Sequence, residues 1–243
     1  MIKIFADAEQ LNRFAAEKFV EIANDSIDSF GKFTVALSGG STPKALYQSL
    51  SSDKYKSKID WSKVFFFFGD ERNVAPDEEE SNYRMARENF LAPLRIPETN
   101  IFRWKTEIKD ANKIAEDYEN AAKKFFTIND NEFPKFDLIF LGMGDDGHTA
   151  SLFPYTKAVK ESKRIAVANA VEKLAVTRLT LTFPVINNAS NVIFLIKGAD
   201  KAESLREVLQ GEFQPEKYPA QSAKLNDGNI FWLIEKQAAQ LLT

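Results

Sequence analysis

The strongest constraint on the fold is a set of short apolar runs, each followed by a turn. Phe33–Leu37 reads FTVAL, Val64–Phe68 reads VFFFF, Phe136–Leu141 reads FDLIFL and Val192–Ile196 reads VIFLI. Runs with so little polar alternation are typical of strands that are covered on both faces, as in the centre of a parallel sheet. These segments therefore predict the buried strands of a central sheet.

Helical patterns separate these runs. Asp7 and Gln10 form a capping box before an apolar stripe of helical spacing that ends at Gly31. The other predicted helices are KALYQSL, Asn82–Leu91, Asp110–Phe126 and a C-terminal tail. A further predicted helix is capped by Asp200 and Glu203, runs to Leu209 and ends before Gly211. The other predicted strands are Arg164–Ala168, Val176–Phe183 and Asn229–Ile234. Strands that alternate with helices predict a layered α/β fold, a largely parallel central sheet flanked by helices. No repeat, linker or shift in composition divides the chain, so we expect a single domain over residues 1–243.

Composition narrows the classes of partner. The net charge of −3 argues against nucleic acid or an anionic membrane surface as the main partner. The chain has no cysteine, and its N-terminus lacks the apolar core of a signal peptide. We therefore expect a cytoplasmic protein, a monomer or weak homo-oligomer, that acts on a small molecule. An anionic ligand would need a local cluster of arginine and lysine.

Three predicted strands end in unusual loops. These loops are Ser38–Pro43 (SGGSTP), Gly69–Asn73 (GDERN) and Gly142–His148 (GMGDDGH). Ligands of open parallel sheets bind beyond the carboxyl ends of the strands. The three loops are therefore expected to line one cleft.

The first loop is suited to phosphate. Gly39 and Gly40 allow a tight turn and a close approach to a ligand, while Ser41 and Thr42 add hydroxyl groups. With Thr42 as a possible cap and Pro43 at the first helical position, the loop would present backbone N–H groups at a helix N-terminus, which attracts phosphate. A plain strand–turn–helix connection would also explain the pattern.

The third loop contains His148, the only histidine of the chain. GMGDDG matches a dinucleotide-binding spacing, but Asp145 and Asp146 would repel a pyrophosphate, which disfavours that interpretation. One histidine and no cysteine give no recognisable metal-ligand spacing, and the chain lacks the G-x-S-x-G elbow of a serine hydrolase. Because an imidazole exchanges a proton near neutral pH, we interpret His148 as a base that activates water, with Asp146 as its supporting carboxylate. The alternative is a histidine held by local hydrogen bonds for structural reasons.

The arginine and lysine side chains that an anionic ligand would need lie outside the first and third loops. Arg72 follows the second strand, Arg178 lies in VTRLTLTF, and Lys201 is expected in the first turn of the helix capped by Asp200. A lysine there opposes the helix dipole unless an anion is bound nearby. The alternatives are a surface ion pair of Arg72 with Asp70 or Glu71, and an outward-facing Arg178.

Taken in order, several blocks of the chain resemble the 6-phosphogluconolactonases of the pentose phosphate pathway. The blocks are SGGSTP, GDERNV with SNYRMAR, GMGDDGHTASLFP, TRLTLTFPVINNA, KGADK and WLIEKQAAQLL. The resemblance implies a fold similar to those of glucosamine-6-phosphate deaminase and ribose-5-phosphate isomerase. It also implies hydrolysis of 6-phospho-D-glucono-1,5-lactone to 6-phosphogluconate, with no metal or cofactor.

The resemblance also implies roles for individual residues. His148 would activate water with the support of Asp146, Arg72 would face the sugar or lactone end, and the phosphate would be held by Gly39, Gly40, Ser41, Thr42, Arg178 and Lys201. Two alternatives stay open: an isomerase or deaminase of the same fold, and a non-catalytic sugar-phosphate sensor. The deaminases carry a tyrosine at the position of Arg72 and a glutamate shortly after the histidine, where this chain reads TASLFP. That departure favours the lactonase.

Overall fold

A six-stranded parallel sheet forms the centre of the computed structural model, which describes residues 1–243. Its strands are β1 (Ile2–Phe5), β2 (Phe33–Leu37), β3 (Val64–Phe68), β5 (Leu138–Leu141), β8 (Asn191–Ile196) and β9 (Asn229–Glu235). Their order in the sheet is β1–β9–β8–β5–β2–β3, and every neighbouring pair is parallel. All residues of β2 and β5 are buried, which explains their uninterrupted apolar sequences.

A separate three-stranded antiparallel sheet stands beyond the carboxyl end of β3. It consists of β4 (Asp70–Arg72), β6 (Ala166–Val171) and β7 (Val176–Leu181), with β7 in the middle. Only Gly69 separates β3 from β4, and its carbonyl accepts a hydrogen bond of 2.8 Å from the Leu181 N–H. The small sheet therefore starts where the large one ends.

Six helices accompany the sheets: α1 (Ala8–Phe30), α2 (Ser41–Leu50), α3 (Asn82–Ala86), α4 (Ala111–Phe126), α5 (Phe183–Asn187) and α6 (Ala202–Gln210). Helix α1 begins after Asp7, whose carboxylate accepts from the Gln10 N–H, and ends at Gly31 in the left-handed region. A π-helical turn, Arg87–Leu91, extends α3. No helix of the chain combines the length and the apolar composition needed to cross a membrane.

Sixty buried hydrophobic residues form one cluster that runs from Phe5 to Ala239. Aromatic rings fill much of it: Phe19 contacts Phe33 and Phe140, and Phe67 contacts Phe136. A continuous core is the arrangement expected of one domain. The predicted α/β class with a largely parallel sheet and flanking helices is confirmed.

Some expectations about individual elements are wrong. The tail after β9 forms turns rather than a helix, and β1 was not expected because three of its four residues are exposed at the sheet edge. The strands at residues 166–171 and 176–181 belong to the small antiparallel sheet, not to the parallel one. Strands β6 and β7 pair as a hairpin of residues close in sequence, whereas β4 joins them through the distant pair Arg72 and Arg178, a contact that local patterns do not reveal.

Candidate active site

The SGGSTP loop connects β2 to α2 and leaves backbone donors free. Helix α2 begins at Ser41 with Gly40 as its N-cap, at a φ of 101°, so the expected cap at Thr42 and start at Pro43 are wrong. Proline is tolerated there because the first N–H groups of a helix have no intrahelical acceptor. The N–H groups of Gly40, Ser41 and Thr42 donate no hydrogen bond within the protein. This end of α2 therefore offers an anion unoccupied donors.

The GDERN loop turns directly into β4, and its two acids are buried. Asp70 accepts a hydrogen bond of 2.7 Å from Ser151 Oγ and one of 3.2 Å from Asn82 Nδ2. Glu71 accepts from the N–H groups of Arg72, Asn82 and Tyr83 at 2.7–2.8 Å. Burial raises the pKa of Glu71, while these N–H bonds act in the opposite direction. Neither acid forms the ion pair with Arg72 that was one of the sequence alternatives.

Arg72 and Arg178 lie directly opposite each other in the antiparallel pair of β4 and β7. The Arg72 guanidinium donates only to the Glu80 carbonyl, and the half-buried Arg178 guanidinium has no hydrogen-bond partner. Burial and the nearby Arg72 charge lower the pKa of Arg178, although a guanidinium stays protonated in proteins. Like charges directly opposite each other in a sheet are unfavourable, and a bound anion would remove the repulsion. The alternative of an outward-facing Arg178 is not what the structure shows.

The GMGDDGH loop folds tightly around its own histidine. The Gly144 N–H donates to the His148 carbonyl at 2.9 Å, and a Cβ atom on Gly144 would overlap with the imidazole Nδ1. Only glycine allows this approach of backbone to side chain. Phe153 supports the other side of the imidazole, with ring centroids 4.0 Å apart.

Asp146 fixes the tautomer of His148. Its Oδ1 lies 2.6 Å from His148 Nδ1 and also accepts from the His148 backbone N–H at 3.1 Å. Although burial would raise the pKa of Asp146, the hydrogen bonds from His148 and Lys173 hold it well below its ordinary value. An ionised carboxylate only accepts, so Nδ1 carries the proton and Nε2 of the neutral ring keeps its lone pair. Nε2 has no partner in the protein, and the side chain is 25% exposed.

Lys201 lies at the start of α6, close to the third loop. It ends the 3₁₀ turn Ala199–Lys201 and is the N-cap of α6, not a residue of its first turn. Asp200 does not cap the helix as expected; its carboxylate instead pairs with Lys201 Nζ at 2.8 Å. Ser204 Oγ, bonded to the carbonyls of Gly144 and Lys201, ties this helix start to the third loop.

The three loops contact one another beyond the carboxyl ends of the parallel strands, as the sequence predicts. The Gly69 N–H donates to Leu37 at the end of β2, and Asn82 packs against Gly39 while bonding Asp70. Ser151, which follows the third loop, bonds Asp70. These contacts therefore join the three loops beyond the carboxyl ends of the strands, and Arg178 reaches this region through its pairing with Arg72.

The chain is similar to known proteins over almost its whole length. A family model described as glucosamine-6-phosphate isomerases/6-phosphogluconolactonase matches residues 6–232. The chain belongs to this family. A 6-phosphogluconolactonase of Synechocystis sp. is 45% identical over 87% of this chain and 85% of the relative, and one of Nostoc sp. is 37% identical over 100% and 98%. The structure of a 6-phosphogluconolactonase from Trypanosoma brucei, 31% identical, superposes with a TM-score of 0.90 over 100% of this chain and 98% of that one.

The family includes two branches that share the fold. A monomeric glucosamine-6-phosphate deaminase superposes with a TM-score of 0.80 over 99% of each chain at 22% identity, a likeness of fold alone. The matched relatives named above, with 31–45% identity, carry the lactonase name. The resemblance in the sequence blocks to 6-phosphogluconolactonases is therefore confirmed.

Sequence reasoning missed Lys173, which contacts the candidate base His148 through Asp146. Lys173 lies in the turn between β6 and β7, and its Nζ contacts Asp146 Oδ2 and lies 5.4 Å from the Phe153 ring centroid. No local motif predicts the contact between Lys173 and Asp146, because the two residues are 27 positions apart in sequence. A cavity of about 850 Å³ borders Asp146, Phe153 and Lys173, but none of the proposed phosphate-binding residues lines it.

Proposed function

We propose that this chain is a 6-phosphogluconolactonase, which hydrolyses 6-phospho-D-glucono-1,5-lactone to 6-phosphogluconate. The observation that carries the proposal is a His148–Asp146 pair with a free Nε2, on the same side of the molecule as two arginines that have no carboxylate partner. The lactonase names of the relatives support the same activity. The segment TASLFP, which follows the histidine, contains no glutamate of the kind that the deaminases carry there, and this disfavours deaminase chemistry.

In the proposed reaction, His148 Nε2 removes a proton from water as the water oxygen attacks C1 of the lactone. Asp146 keeps the imidazole oriented and stabilises the imidazolium that forms, as a carboxylate does beside other catalytic histidines. When the tetrahedral intermediate collapses, the bond from C1 to the ring oxygen breaks and that oxygen takes the proton from Nε2. The products are a free hydroxyl group and a carboxylic acid, which ionises in water. No covalent nucleophile is required, because the lactone is an activated ester.

The phosphate of the substrate would bind at the start of α2. The free N–H groups around Gly39, Gly40, Ser41 and Thr42 support this, together with the unpaired guanidinium of Arg178. Lys201 would add a third contact after exchanging its exposed partner Asp200 for the phosphate. Arg72 would face the sugar or lactone end, where a guanidinium stabilises negative charge that develops on the carbonyl oxygen.

The proposal also covers the cellular location, the oligomeric state and the partners of the enzyme. We expect a cytoplasmic enzyme that works as a monomer or weak homo-oligomer, on a small molecule and without nucleic acid. The net charge of −3 and the absence of cysteine support this setting.

The test is lactone hydrolysis followed by acid release, with the uncatalysed rate subtracted. The lactonase should accelerate release from the phosphorylated lactone and should liberate no ammonia from glucosamine 6-phosphate. Ammonia release would identify a deaminase instead. Binding of 6-phosphogluconate with no acceleration of either reaction would identify a sensor.

A further inference from the structure

A second cleft, of about 430 Å³, lies between helices α1 and α2. It is lined by residues of the first half of α1, by α2 and the segment that follows it, and by Lys197 at the end of β8. None of its lining residues belongs to the three loops of the proposed active site. The volume falls in the usual range of small-molecule sites.

Positive charge dominates the cleft. Arg13, Lys54 and Lys197 line it, and none of these three forms an ion pair or donates a hydrogen bond within the protein. The only acid among the lining residues is Glu9. Two positive charges therefore remain unbalanced, which fits a doubly charged anion.

Two residues that line the same cleft carry buried polar atoms without partners. Tyr55 is only 2% exposed, yet its hydroxyl makes no hydrogen bond, and Asn12 Oδ1 is also buried and unpartnered. These are the only two such side-chain atoms in the protein, and both belong to residues that line this cleft. Orphaned buried polar groups are rare in folded proteins and each needs an explanation. A ligand that carries hydroxyl groups would supply partners to both once the two side chains turn toward the cleft.

We propose that this cleft binds a small hydroxylated phosphomonoester. Its phosphate would lie among Arg13, Lys54 and Lys197, and its hydroxyl groups would bond Tyr55 and Asn12. The proposal goes beyond the lactonase function, because it adds a second anion site that shares no residue with the first.

The test uses glycerol 3-phosphate as the probe and isothermal titration calorimetry as the readout. The titration is made in wild-type protein and in an Arg178→Ala background, which weakens binding at the proposed active site. In both backgrounds the double variant Lys54→Ala/Lys197→Ala should lower affinity at the cleft at least tenfold, roughly the effect of losing one charge-assisted contact. Lys58→Ala is the matched control, because Lys58 Nζ lies 5.2 Å from the Tyr55 ring but does not line the cleft.

Tyr55→Phe isolates the unpartnered hydroxyl. Since that hydroxyl makes no bond in the free protein, its removal should leave thermal stability unchanged or raise it, yet should weaken glycerol 3-phosphate binding by about threefold or more. Inorganic phosphate should bind more weakly than glycerol 3-phosphate. The proposal is overturned if the probe does not bind in the Arg178→Ala background, or if the double variant binds it like wild type. Equal binding of both probes, unaffected by Tyr55→Phe, would overturn the assignment of the hydroxyl contacts.

Discussion

At the scale of single residues, the proposed chemistry depends on one nitrogen atom. Because Asp146 holds the proton on Nδ1, His148 Nε2 is the atom available to take a proton from water. His148→Asn should lower kcat by about 10²–10⁴-fold, the usual contribution of a general base, while 6-phosphogluconate still binds. Turnover and calorimetric binding measure the two effects. A folded variant with normal turnover would show that the histidine is structural.

Lys173 is expected to act through Asp146 rather than on the substrate. The pKa of Asp146 lies below its ordinary value, so its stabilising interactions are complete above the unfolded-state pKa and are lost as pH falls through the folded-state pKa. Lys173→Ala removes one of the groups that lower this pKa, so the midpoint of acid unfolding, followed by circular dichroism, should move to higher pH. Lys173→Arg should restore it.

The control for this prediction is Lys157→Ala. Lys157 lines the same cavity as Lys173 but forms no ion pair with Asp146. Its removal should leave the midpoint of acid unfolding in place. A shift of equal size in both variants would mean that general surface charge, and not contact with Asp146, sets the midpoint of acid unfolding.

Arg178 is expected to contribute binding rather than stability. Arg178→Ala should remove roughly 1.5–3 kcal/mol of substrate binding, the value of a charge-assisted hydrogen bond, and the loss should appear mainly in KM. Because Arg178 faces Arg72 and has no partner, thermal stability should not fall. Kinetics on phosphorylated and unphosphorylated gluconolactone provide the measurement. Equal activity of the wild-type protein on both lactones would refute the phosphate role.

At the scale of elements, the loop after β5 shapes the site through the backbone. A Cβ atom at Gly144 would overlap with the His148 ring, whereas one at Gly142 would meet nothing within 4 Å. Gly144→Ala should therefore displace the imidazole and lower kcat by about tenfold or more, with an overpacking cost of roughly 1–3 kcal/mol in unfolding free energy. Gly142→Ala, the matched control, should keep activity near wild type. Equal activity of the two variants would show that the loop tolerates the displacement.

Elements with local signals are those that the sequence predicts well. The bounds of β2 and β3 and the caps of α1 agree with prediction, because apolar runs and capping residues act within a few positions. The antiparallel sheet could not be predicted in the same way, since the pairing of Arg72 with Arg178 joins segments more than a hundred residues apart. For the same reason, sequence reasoning named both arginines but not their contact. Sequence reasoning placed the three loops together because the carboxyl ends of parallel strands lie on the same side of a sheet.

At the scale of the whole molecule, the two sheets together supply the residues of the candidate site. The large sheet supplies the SGGSTP and GMGDDGH loops, and the small sheet supplies both arginines and, from its β6–β7 turn, Lys173. The buried bond of Ser151 to Asp70 joins the third loop to the start of β4. A substrate held by both parts should therefore stabilise them together.

This joint stabilisation can be measured by unfolding. Trp104 stacks on Tyr118 and bonds Phe68 at the end of β3, whereas Trp232 in β9 stacks on Phe194 near the opposite side of the sheet. If residues 1–243 form one domain, denaturant midpoints from tryptophan fluorescence in wild type and Trp232→Phe should each coincide with the midpoint from circular dichroism. 6-Phosphogluconate at about a hundred times its Kd should raise the whole transition by roughly 2.7 kcal/mol. Two transitions, only one of them shifted by the ligand, would show that the sheets unfold as separate units.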